Sequence, residues 1–311
     1  MQYRALGNTG LKVSALSFGA SPLGGAFRDV DESEALRAVH LSLEKGINFV
    51  DVSPFYGLTK SETVLGKALR TIPRGTYMLS TKVGRYGHEP KDFDFSAKRV
   101  TASIDESLAR LHVSYVDVLL AHDVEFGSLD QVINETIPAM QKIKQAGKTR
   151  FIGISALPLK CFQYVSDRVA LDVILSYCHY SLNDTALEGL VPQLKAKKIG
   201  IINASPLSMG LLSQRGAPDW HPAPANVKAQ CALAAEHCQK RGASIEKLAV
   251  QYAISNPQIA TTLVGSANPR NMERNIAWAS EPIDQTLLTE VLEILKPIHD
   301  VTWPSGRAEN N

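Results

Sequence analysis

The sequence predicts an α/β chain folded as a (β/α)8 TIM barrel, with an N-terminal β-hairpin and a C-terminal extra helix. Three observations carry this. Short β-rich runs alternate eight times with helical patterns along 311 residues. Strand runs such as VDVLL and RFIGIS lack polar alternation, as expected of parallel strands covered on both faces. No G-x-G-x-x-G follows the first barrel strand, which argues against a doubly wound dinucleotide-binding sheet.

The elements follow in order. RALGNTGLKVS reads as two short β runs around Asn8-Thr9-Gly10, a hairpin placed to plug the barrel bottom. The first barrel strand is 15–19 and its helix 31–45, with Gly46 as the stop. The second pair is 47–53 and 61–69. The third is 77–83 and 96–111, where Val100, Ile104, Ser107, Leu108 and Leu111 recur at helical spacing. Next come 116–121 with 129–145, ending at Gly147, and 150–155 with a short helix from Pro158. Strand 173–177 precedes helix 186–197, strand 200–204 precedes 225–240, and strand 261–264 precedes 269–278. A last helix spans 284–298. No linker or low-complexity tract interrupts the series, so residues 1–311 are expected to form a single barrel domain.

Composition narrows the class of function. Lys+Arg minus Asp+Glu is 33 − 31 = +2, with no basic run, so neither a nucleic acid nor a membrane surface is expected as partner. No stretch approaches the roughly 18 apolar residues of a membrane span, and the first residues lack a secretory apolar core. Cys161, Cys178, Cys231 and Cys238 fit no C-x-x-C pattern. Free, mostly buried thiols in a cytoplasmic protein without a metal are the expectation.

In a barrel of this kind the working residues lie at the C-terminal strand ends. The second strand ends in Asp51-Val-Ser-Pro-Phe-Tyr56-Gly57, the third in Ser80-Thr-Lys82-Val-Gly84, the fourth in Ala121-His122-Asp123 and the fifth in Gly153-Ile-Ser155. An acid, a phenol, an amine and an imidazole thus point at one mouth. Each alone has a bland reading, as a cap, a solvated charge or a satisfied polar residue. Together they make an acid–base site: Lys82 favours the phenolate and should lower the Tyr56 pKa, and Asp51 keeps Lys82 charged. Such a site adds or removes a proton at a carbonyl–alcohol carbon.

The segments LGNTGLKVSALSFGA, INFVDVSPFYGLTKSETVLGKAL, LSTKVG, VDVLLAHD, GKTRFIGIS, SPLSMGLL and VGSANPRNMERNI resemble the aldo-keto reductase superfamily across nearly the whole chain. The most specific is D-x-x-x-x-Y-G followed by L-G-x-A-L. The resemblance implies a catalytic tetrad of Asp51, Tyr56, Lys82 and His122, with a nicotinamide carrying the hydride. It implies cofactor contacts from Gly19 and Ser21, from Ser155 at the carboxamide, and from Ser205, Leu207 and Gly210 at the pyrophosphate. Gly265, Ser266, Arg270 and Asn275 would serve the adenine side. Three positions depart from the family pattern: Ala156 replaces a frequent Asn, Ala204 replaces the aromatic that stacks on nicotinamide, and Tyr177 replaces a Gln. Tyr177 is a candidate for the missing ring. NADP-preferring members carry Lys and Arg where this chain has Gly265 and Asn271, so NAD is the expected cofactor.

The substrate loops carry Phe27, Arg28, Phe55, Arg85, His88, Asp123 and Trp303. Phe27, Phe55, His88 and Asp123 are the expected binding set, and their polar members suit a hydroxylated ligand. With ILSYCHYSLND, a run similar to sugar-oxidising plant members, the resemblance implies NAD-dependent oxidation of the C1 hydroxyl of L-galactose to L-galactono-1,4-lactone, as in ascorbate biosynthesis. The alternatives are a reductase of small aldehydes and a nucleotide-sensing, channel-associated subunit.

Overall fold

The structure, a computed structural model, describes residues 1–25 and 29–311. Strands β1 (Tyr3–Ala5) and β2 (Lys12–Ser14) pair antiparallel as the expected hairpin. Eight parallel strands then close a barrel: β3 (Leu16–Gly19), β4 (Phe49–Asp51), β5 (Met78–Val83), β6 (Val116–Ala121), β7 (Thr149–Ala156), β8 (Val173–Tyr177), β9 (Gly200–Ala204) and β10 (Thr261–Val264). Each lies beside its sequence neighbour, and β10 closes on β3. Inward residues Phe49, Val118, Leu120, Val173, Leu175, Ile202 and Leu263 form one buried cluster with Leu6, Leu11 and Val13. The hairpin therefore does plug the barrel. Burying a side chain such as Leu6 contributes about 1.5–3 kcal/mol.

Helices α1 (Glu32–Glu44), α2 (Lys60–Leu69) and α3 (Ala97–Leu111) cover the first strands. The expected helix 129–145 is composite: α4 (Leu129–Gln131) runs through a π segment, Val132–Thr136, into α5 (Ile137–Gln145). Pro138 lacks the N–H that would continue the α ladder, and the wider turn accommodates this. Then follow α6 (Leu159–Ser166), α7 (Val191–Ala196) behind a 3-10 turn at Ala186–Leu190, α8 (Ala225–Lys240), α9 (Ile245–Ser255), α10 (Pro269–Trp278) and α11 (Gln285–Leu295). Asp31, Ser96, Ser244 and Asp284 each accept a backbone N–H at a helix start.

Two expectations change. The second strand is short, because the chain turns at Pro54 rather than extending to Ser53. The sequence reading passed over α9 and gave 225–240 to the seventh barrel unit. Instead α9 contacts β10, while α8 buries Val227, Cys231, Ala234 and Cys238 with Leu287, Val291 and Leu295 of α11. The extra layer is thus a helix pair rather than one helix. All four cysteines are free and buried. Among the described residues, no helix is long and apolar enough to cross a membrane.

Candidate active site

Parallel register brings the acid and the amine together. Asp51 pairs with Ser80, and Lys82 lies two residues further along β5, on the same face. The Lys82 ammonium donates to Asp51 Oδ2 at 2.5 Å, to the Val52 carbonyl at 3.0 Å and to Tyr56 Oη at 3.1 Å. Its three protons thus have three acceptors. His122 follows β6, its ring edge-on to that of Tyr56 at 5.6 Å between centroids. Its Nδ1 lies 2.9 Å from Ser53 Oγ. The sequence reading did not single out Ser53.

The loop that aims Tyr56 is held by backbone contact. Gly57 has φ +60°, and a Cβ there would lie 2.4 Å from the Gly24 carbonyl oxygen. Only glycine lets these two backbones meet without displacement.

Burial sets the ionisation of the quartet. It pulls Lys82 down, but the Asp51 charge, then the Tyr56 oxygen, overcome it, and Lys82 is raised and stays charged. Burial raises Asp51 against the opposing pull of Lys82; the 2.5 Å contact is that of an ion pair. For Tyr56 the sequence expectation is corrected. Lys82 does favour the phenolate, but burial outweighs it and the phenol is raised. Burial, then the Lys82 and Arg85 charges, hold His122 well below its ordinary value, so its ring is neutral.

The expected cofactor residues form the other half of the mouth. Ser155, Tyr177, Ser205 and Gly265 stand at or just beyond the ends of β7, β8, β9 and β10, which are consecutive neighbours. Gly19 and Ser21 continue the arc beyond β3. Ser155 Oγ accepts from the Asp123 N–H at 3.1 Å, and its own proton has only a 3.5 Å partner in Asp123 Oδ1, so it remains available to a ligand carbonyl. After β9, Leu207 (φ −90°) is followed by Ser208 and Met209 at positive φ (45° and 52°), then Gly210. The Ser208, Gly210, Leu211 and Leu212 N–H groups close on carbonyls within the turn, and those of Leu207 and Met209 are the ones left to meet a phosphate. Ser266 Oγ accepts from Asn271 Nδ2. Arg270 is exposed, and Asn275 is half-buried further along α10. These residues fit a nicotinamide dinucleotide.

On the substrate side, Asp123 is left-handed (φ 49°) and takes Arg85 Nη1 at 2.5 Å. The Arg85 guanidinium lies 3.6 Å from the Phe55 ring centroid, and Phe55 meets His88 and His122 edge-on. Phe55, His88 and Asp123 are thus brought together as expected. Phe27 and Arg28 lie outside the described residues. Trp303 does not belong with this group: it is buried, edge-on to His221.

One residue the sequence reading missed is Glu125. It is fully buried, and its Oε1 accepts from Leu157 N, Tyr177 Oη and Ser305 Oγ. Burial and the Asp123 charge push its carboxyl up to about 8. With its hydroxyl proton committed to Glu125, Tyr177 has its ring to offer a ligand.

A closed parallel barrel whose mouth carries this acid–base quartet beside a dinucleotide-shaped arc defines an oxidoreductase of carbonyls and alcohols. The chain belongs to the aldo/keto reductase family, whose pattern matches residues 15–296. It is 53% identical to the L-galactose dehydrogenase of Arabidopsis thaliana, over 100% of this chain and 99% of that protein. It is 34% identical to the D-arabinose 1-dehydrogenase of Saccharomyces cerevisiae, over 78% of this chain and 76% of that protein. An aldo-keto reductase from Bacillus halodurans, solved in its holo form, superposes with a TM-score of 0.80 at 26% identity and 98% coverage of both chains. The chain is accordingly an oxidoreductase that uses a nicotinamide cofactor.

Proposed function

We propose that this enzyme oxidises the C1 hydroxyl of L-galactose to L-galactono-1,4-lactone with NAD. The observation that carries the chemistry is the threefold contact of Lys82 with Asp51, Val52 and Tyr56. The choice of sugar is supported by the full-length similarity to an L-galactose dehydrogenase.

Tyr56 Oη exchanges the proton of the substrate oxygen, as base in oxidation and acid in reduction. The charge of Lys82, locked by Asp51, stabilises the phenolate when that proton leaves the phenol. His122 is neutral; Ser53 Oγ takes the Phe55 N–H and has its own proton to give to Nδ1, and the ring that accepts it presents an Nε2–H to orient the substrate oxygen. Asp123 and Arg85 bind the remaining hydroxyls, Phe55 offers its ring to the C–H face of the sugar, and His88 stands at the rim. Ser155 holds the carboxamide, the turn at Leu207–Gly210 holds the pyrophosphate, and Gly265, Ser266 and Asn275 face the adenosine. A bound nicotinamide supplies the hydride acceptor.

The preference for NAD rests on Gly265 and Asn271. Neither brings a positive charge to a 2′-phosphate, and a charged hydrogen bond there contributes about 1.5–3 kcal/mol. Arg274 is nearer than its sequence position suggested: it donates to Asn271 Oδ1 at 2.6 Å. The test is a panel of aldoses with each cofactor, followed as reduced nicotinamide at 340 nm. L-galactose with NAD should give the highest kcat/KM, with L-fucose weaker and NADP roughly 10- to 150-fold worse. Faster reduction of an aromatic aldehyde would overturn the sugar. Equal use of NADP would mean that Arg274 or Arg270 reaches the phosphate.

A further inference from the structure

The turn after β9 costs free energy to hold. Ser205, Ser208 and Met209 all have positive φ (57°, 45° and 52°), a region that residues with a Cβ avoid. Something must over-determine it. Ser208 is fully buried, and its Oγ donates to Asn183 Oδ1 at 2.9 Å. Its carbonyl takes the Leu211 N–H at 3.2 Å and, from the opposite segment, His221 Nε2 at 3.0 Å.

His221 can play only one part here. The Ala223 N–H donates to its Nδ1 at 3.1 Å, so that nitrogen keeps its lone pair. The ring proton therefore sits on Nε2 and points at the Ser208 carbonyl. Burial lowers its basicity, in keeping with a neutral ring. The ring itself is fixed: His221 is 3% exposed, Trp303 meets it edge-on at 4.9 Å, and Trp220 stacks on it at 5.9 Å. Loops after the seventh and eighth strands of such barrels commonly carry the phosphate site, and β9 is the seventh.

We infer that His221 is a positioning residue for cofactor binding: its Nε2–H locks the Ser208–Met209 turn in the shape that receives the pyrophosphate. The inference rests on the cofactor reading above. Without the lock the turn relaxes, and the Leu207 and Met209 N–H groups, which have no partner within the turn, must be ordered anew by each arriving dinucleotide, which weakens binding. None of the groups around His221 touches the reacting atoms, so the effect falls on cofactor affinity.

Two near-isosteric substitutions separate this role from simple packing. His221→Gln places an amide N–H near the position of Nε2 and can still donate to Ser208. His221→Asn keeps only an acceptor near Nδ1 for Ala223. Calorimetric titration with NADH should give a Kd about 10-fold weaker for His221→Asn and for His221→Ala, with His221→Gln within about threefold of the wild type. The cofactor KM should follow the same order. Melting temperatures, measured alongside, should fall in all three variants, because each loses the imidazole between the two tryptophans, so that His221→Gln loses stability while keeping its affinity. Wild-type affinity in His221→Asn, or equal losses in the two amide variants, would overturn the lock while leaving the cofactor reading intact. A wild-type protein that binds neither NADH nor NAD would sink both.

Discussion

Tyr56 lies at the point where three influences meet: the Lys82 ammonium 3.1 Å away, the edge of His122, and the low-dielectric wall that raises its pKa. Removing its oxygen leaves the ring contacts but no group to exchange the proton. Tyr56→Phe should lower kcat by about 10²–10⁴-fold, while NADH still binds in calorimetry. Turnover within a few-fold of the wild type would take Tyr56 out of the mechanism. The same residue shows what sequence can and cannot tell. That an amine sits by a phenol at adjacent strand ends follows from the two-residue period of a strand and the order of the sheet. Which of two opposing influences wins does not, because burial is a property of the finished barrel. Tyr177 makes the same point. Its place at the end of β8 was legible, but its partner Glu125 was not.

The β4–α2 loop that carries Tyr56 packs its backbone at Gly57 directly on Gly24, which makes it sensitive to a single methyl group. At Gly57, alanine must take a left-handed conformation, at about 1–2 kcal/mol, and press its Cβ against the Gly24 carbonyl. The loop must shift, and Tyr56 with it. Gly57→Ala should therefore lose at least 10-fold in kcat/KM and lower the melting temperature. Gly75→Ala is the control, since a Cβ there meets nothing within 4 Å. Equal behaviour of the two variants would show that the Tyr56 loop tolerates movement. The element-level reading of the sequence was accurate where hydrophobic runs are long and failed at α9. Its signals were present: Gly242 after α8, Ser244 as cap, then apolar Ile245, Leu248, Ala249 and Val250. They were masked by the preceding helix, which filled the place of the seventh barrel unit.

Across the whole molecule, the last residues tie the barrel mouth together, and Glu125 is where they anchor. The Glu125 carbonyl accepts from Arg307 N at 2.9 Å and Asn310 Nδ2 at 2.8 Å, while its carboxyl takes Ser305 Oγ. Gly306 (φ +72°) passes so close that a Cβ would lie 2.3 Å from the same carbonyl oxygen. A carboxyl in this setting links tail docking to pH. Burial, with the Asp123 charge, raises it from 4.5 to about 8. Between those values the unfolded chain releases a proton that the folded chain keeps. Stability therefore falls as pH rises through this window, by up to about 1.4 kcal/mol per unit, and is fully regained below the unfolded value. Glu125→Gln keeps an acceptor for Leu157, Tyr177 and Ser305 but cannot ionise. The melting temperature of Glu125→Gln minus that of the wild type should thus increase steadily from pH 5 to pH 8 and level off above. Titrating groups remote from Glu125 cancel in that difference, since both proteins carry them in the same surroundings. A difference that stays flat across the range would mean that Glu125 keeps its charge in the folded protein. The tail would then be anchored by an ionised carboxylate, and its docking would not weaken on the alkaline side.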